Sequence, residues 1–100
     1  MVQTVKTITV KAGEKIILFE KPLTSHRIFF SVRVLASQTS WYPTGISFDD
    51  PQFFTFYSLN GPEKYFAAEG MDIFQGNVWI KNNSDTDLQY TATEILYQLC

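Results

Sequence analysis

The chain has 100 residues, 45% of them hydrophobic and 16% aromatic, with eight basic and ten acidic side chains and a formal charge of −2. That is one domain's worth of chain, too apolar for disorder, and residues 1–100 read as a single unit. Without clustered Lys or Arg, counterion-driven binding to nucleic acid and polybasic attraction to a membrane are both disfavoured, and with a single cysteine, Cys100, no intrachain disulfide can form.

The hydrophobic period is that of strands almost throughout. Val2 to Val10 is rich in Val, Ile and Thr, with Ile8 and Val10 alternating with Thr7 and Thr9. Ala12-Gly13 interrupts it. Glu14 to Lys21 carries Ile16, Ile17, Leu18 and Phe19, apolar on both faces, and stops at Pro22, which has no N–H for a ladder. His26 to Ala36 is the clearest strand. Ile28, Phe30, Val32 and Val34 are expected to point inward, and Arg27, Phe29, Ser31 and Arg33 to point to solvent, since two arginines mark a wet face.

Ser37 to Gly45 reads as a loop centred on Trp41-Tyr42-Pro43, followed by a short strand, Ile46-Ser47-Phe48, and a turn at Asp49-Asp50-Pro51. Gln52 to Leu59 is strand again, with Phe53, Thr55 and Tyr57 on one face and Phe54 and Phe56 on the other. Asn60-Gly61 is the strongest hairpin signal in the chain, and Glu63 to Ala68 would be the returning strand. Gly76 to Lys81 turns Val78 and Ile80 away from Trp79 and Lys81. After a turn at Asn82-Asn83-Ser84-Asp85, Leu88 to Leu99 is a long closing strand rather than a helix. About eight short strands separated by turn signals predict an all-β, antiparallel sandwich of the jelly-roll type.

No catalytic set is visible. His26 is the only histidine, no Gly-x-Ser-x-Gly is present, and Cys100 reads as a free thiol. One His and one Cys cannot build a structural zinc site, and the oxygen-rich run from Asn82 to Asp87 lacks the glycine and final glutamate of a calcium loop, so it reads as an Asx-type turn. Neither a cofactor nor a metal is implied, and the expectation is a protein that is not an enzyme. Met1 to Lys6 lacks the pattern of a signal peptide, which predicts synthesis in the cytoplasm.

The unexplained feature is the number of rings. Nine Phe, five Tyr and two Trp are more than a thin two-sheet core absorbs, so some are expected on a surface that a partner covers. The richest places are Trp41-Tyr42 and the strand with Phe53, Phe54, Phe56 and Tyr57. Since one face of that strand must be buried, either Phe54 with Phe56, or Phe53 with Tyr57, meets something beyond the core. Another subunit is one such cover and a loop of the same chain is another. A glycan is the third, with Trp41, Tyr42 and Trp79 as stacking platforms.

The segment from Phe74 to Asn82, a polar turn, and the segment from Gln89 to Glu94 resemble the closing hairpin of small jelly-roll proteins on tailed-phage virions. Those are capsid decoration (cement) proteins and the attachment domains of fibre proteins. The shared pattern is a glycine, an alternating strand ending in Lys81-Asn82, a Ser/Asp turn, and a Thr-rich strand ending in Thr93-Glu94; it spans about a quarter of the chain. The resemblance implies a homo-oligomeric virion protein that binds capsid or tail subunits and stabilises their assembly, and it supplies no binding residue to carry over. The edge formed by Val2 to Val10 is a further candidate for pairing with another chain.

Overall fold

The computed structural model describes residues 1–35, 43–48, 52, 54–58, 64–67 and 75–98. Eight strands are formed: β1 (Val2–Val10), β2 (Lys15–Phe19), β3 (Ser25–Val34), β4 (Pro43–Phe48), β5 (Thr55–Ser58), β6 (Lys64–Ala67), β7 (Val78–Asn82) and β8 (Leu88–Gln98). They make two four-stranded antiparallel sheets, in the orders β1-β8-β3-β6 and β2-β7-β4-β5. The pairs β1/β8, β2/β7, β3/β6 and β4/β5 nest one inside the next, so the chain is a long two-stranded ribbon coiled on itself. That is the jelly-roll arrangement of an all-β sandwich.

The alternation seen in the sequence places the core. From the first sheet, Val10, Phe30, Val32, Val34, Leu88, Tyr90 and Ala92 face inward; from the second, Leu18, Phe19, Ile46, Val78 and Ile80 meet them. Phe30 lies at the centre. It stacks on Phe66 at 4.5 Å and meets Phe19 and Phe48 edge-on at 6.1 and 5.8 Å. Such pairs add to the burial of apolar area that holds the sheets together.

Between β1 and β2 the chain changes sheet through a turn closed by the Glu14 N–H on Lys11 O (2.9 Å). Gly13 has φ +75°, which a type II turn reserves for glycine. Asn82 ends β7 with its side chain buried. Its amide donates to Val10 O and Thr86 O, and its carbonyl accepts from the Ser84 N–H and hydroxyl, so the run from Asn82 forms the Asx turn expected of it.

Four expectations are corrected. Arg27 does not face solvent. A bulge between Arg27 and Phe29 shifts the register of β3, turning Arg27 inward; of the other residues expected at solvent, Arg33 is exposed, Phe29 is half-buried and Ser31 is buried. Fully buried, Arg27 donates to Glu94 Oε2 (2.8 Å), Gly76 O (2.8 Å) and Glu20 O (2.9 Å). Gln75 clasps its backbone from both sides.

Pro43, Thr44 and Gly45 belong to β4, not to a loop, because Thr44 pairs with both Tyr57 and Asn82, and its hydroxyl bonds the Tyr90 hydroxyl at 2.9 Å in the core. β5 and β6 do not form a hairpin: β5 pairs with β4 in one sheet and β6 with β3 in the other. Asn60-Gly61 itself lies outside the described residues. Likewise β7 and β8 are not a hairpin, since the Asn83–Asp87 turn carries the chain from one sheet to the other.

Candidate docking face

The outer face of the β2-β7-β4-β5 sheet carries Phe54, Phe56 and Trp79, three of the rings that the core does not use; Phe29, Tyr65 and Tyr97 belong to the other sheet, with Tyr65 and Tyr97 exposed. Register sets its rows. Lys15 lies opposite Lys81, Lys81 opposite Gly45, and Gly45 opposite Phe56; beside them Ile17 lies opposite Trp79 and Trp79 opposite Ser47. The sequence builds this face by period two alone. Each residue alternates with an inward neighbour: Ile17 with Ile16 and Leu18, Trp79 with Val78 and Ile80, Phe56 with Tyr57.

Phe56 is 47% exposed and Phe54 is half-buried, their ring centroids 6.4 Å apart. Both rest on Gly45. A Cβ there would lie 2.8 Å from Phe56 Cε1 and 3.0 Å from Phe54 Cβ, so the glycine is what leaves room for both side chains against β4. Lys81 extends its Nζ to 6.0 Å from the Phe54 ring, a cation–π contact at the outer limit of range. Ile17 is 37% exposed at the far side of the sheet. Trp79 is half-buried, and among the described residues its Nε1–H, which is inaccessible, has no partner.

The sequence-predicted candidates separate. Phe54 and Phe56 are the pair that points away from the core. Tyr57 points to the interior side, edge-on to Phe66 at 5.6 Å, with Lys64 Nζ 4.8 Å above its ring. Trp41, Tyr42 and Phe53 lie outside the described residues. Two members of the face came from elsewhere: Ile17, hidden in a run that reads apolar on both sides, and Gly45, read as loop. The signal for Ile17 was its place between Ile16 and Leu18, which alternation alone assigns to the opposite face.

The arrangement offers apolar contact and stacking. His26 is exposed at the start of β3, opposite Tyr97 and on the other sheet. Among the described residues no three His, Cys, Asp or Glu side chains converge. Asp87 is engaged by the Ala12 N–H at 2.9 Å, and Glu14 by the Lys11 N–H at 3.2 Å. Of the twelve aromatic side chains described, Phe19, Phe30 and Tyr90 are fully buried, Phe48, Tyr57 and Phe66 pack against the core, and the other six lie outside it.

Fold and face together define the class: a jelly-roll β-sandwich with an aromatic outer sheet face. In comparisons with known proteins, no family model matches the chain and no curated protein matches it.

Proposed function

We propose that this chain is a non-enzymatic structural module of a virion, a capsid decoration or tail-accessory protein that binds and stabilises an assembly of other subunits. The observation that carries the reading is the outward pair Phe54 and Phe56, seated on Gly45 and continued across the sheet by Trp79 and Ile17. Aromatic anchors of this kind supply most of the energy of protein interfaces. A jelly roll built without a reactive cluster among its described residues is suited to that task.

The mechanism is mass action. A module that binds the assembled shell and not the free subunits stabilises the shell by about 2.7 kcal/mol when its free concentration is a hundred times Kd. The test uses the assembled particles encoded by the genes that flank this one. Wild-type protein is expected to sediment with them and to raise the temperature at which they break open. Phe56→Ser is expected to stay folded and to do neither. Flanking genes that encode no capsid or tail protein, or a wild-type chain that stays in the supernatant, would refute the virion reading.

A further inference from the structure

A sheet edge is a template for another strand, and proteins blunt their edges unless they use them. Among the described residues this sandwich has four edge strands. β2 carries a register shift between Ile17 and Phe19. β5 and β6 have only four residues each, and β6 opens with Lys64. β1 has none of these protections: nine residues without proline, glycine or register shift, and only one charge, Lys6. Lys6 is on the inner side, its Nζ folded over the Phe19 ring at 4.8 Å. Among the described residues nothing pairs with the outer side of β1.

The backbone groups on that free side can be assigned. The Leu35 N–H donates to Gln89 O at 2.8 Å, so Gln89 turns its backbone groups toward β3. Such groups alternate along an antiparallel strand, so the even-numbered residues of β8 turn toward β1. Val2 lies opposite Leu96 and Val10 opposite Leu88, which makes the even-numbered residues of β1 the ones bonded to β8. Gln3, Val5, Thr7 and Thr9 therefore direct their N–H and C=O groups outward.

We infer that the occupant of this edge is a second copy of the same chain, paired antiparallel about a two-fold axis through Val5. In that register the outward-bonding residues meet one another, Val5 opposite Val5 and Gln3 opposite Thr7. Val5 and Val2, 58% and 52% exposed, both gain apolar partners, since Val2 falls opposite Ile8. A two-fold through Lys6 would set two ammonium groups face to face, which is unfavourable; through Val5 each Lys6 meets Thr4. The two four-stranded sheets then merge into one of eight strands across the axis. The inference rests on the assembly-module reading, but it uses an edge of the other sheet, so the two are tested apart.

Light scattering of the full chain is expected to give twice the 11.5 kDa of the protomer. Val5→Pro removes an N–H that β8 does not use, and is expected to give 11.5 kDa with an unchanged circular dichroism spectrum. Val5→Lys, which keeps the N–H, is expected to weaken the dimer by like charge. In a Cys100→Ser background, Val5→Cys is expected to cross-link under mild oxidation, since a bonded antiparallel pair holds its Cα atoms about 5.5 Å apart. Thr9→Cys is expected not to, its two copies being about 26 Å apart at ~3.3 Å per residue. A monomeric wild type, an odd-numbered oligomer, a dimer indifferent to Val5→Lys, or cross-linking at Thr9→Cys in place of Val5→Cys would each overturn the inference. None of these results depends on whether Phe56→Ser abolishes binding to particles.

Discussion

The interior between the sheets and the outer face of β2-β7-β4-β5 are both aromatic, yet they hold their rings differently. Inside, Phe30 touches three other rings and has no exposed surface. Outside, Phe56 meets Phe54 across Gly45 and leaves nearly half its surface bare. A ring held on all sides contributes to the fold; a ring supported from below contributes little until something covers it. Residue type alone does not separate the two, and the number of neighbours does.

Substitution can break or sharpen that contrast. The largest effect is expected at the centre: Phe30→Ala should lower unfolding free energy by about 3–5 kcal/mol in urea titrations, by lost burial plus the cavity left behind. Arg27→Ala should come close, at about 3–5 kcal/mol, because it strands a buried Glu94 and the carbonyls of Gly76 and Glu20. Asn82→Ala should cost about 1–3 kcal/mol by leaving Val10 O without its side-chain donor.

Thr44→Val should cost about 1 kcal/mol by removing the partner of the Tyr90 hydroxyl. That site also predicts a pH dependence. Burial pushes the Tyr90 phenol above its ordinary value of 10.0, against a smaller opposing effect of the Thr44 bond. Its folded pKa is thus raised, so its contribution is fully present below pH 10.0 and is lost as pH climbs through the folded value. Tyr90→Phe should flatten that alkaline loss in thermal melts taken across the same range. At the small end, Phe56→Ser should change stability by less than about 0.5 kcal/mol while abolishing particle binding. A large loss of stability there would show that Phe56 belongs with Phe30 and not with the docking face.

Much of the fold was legible because period two needs no knowledge of partners. β1 and β8 were readable nearly to their ends, and Phe54 and Phe56 were separable from Tyr57 by alternation. What resisted was whatever depends on a contact distant in sequence. Arg27 reads as a solvent residue until the bulge beside it and Glu94, 67 positions away, turn it inward. Gly45 reads as loop until Phe54 and Phe56 lie across it. Asn60-Gly61 carries the local signal for a hairpin, yet its flanking strands join different sheets, because β5 pairs back onto β4 while β6 pairs with β3, more than 30 positions away. The candidate docking face was half legible for the same reason: its rings show in the sequence, its floor does not.

The nested ribbon has a kinetic consequence. Val2 ends opposite Leu96, and a ladder between residues so distant is slow to form if attempted first. Nesting removes that obstacle, because once β4 and β5 have met, each pair outside them closes only a short additional stretch of chain. Folding is therefore expected to zip from the bend of the ribbon outward, with φ-values highest around Ile46 and lowest in β1. The edge strand is then the last element to be seated, and through most of folding it is still looking for a neighbour.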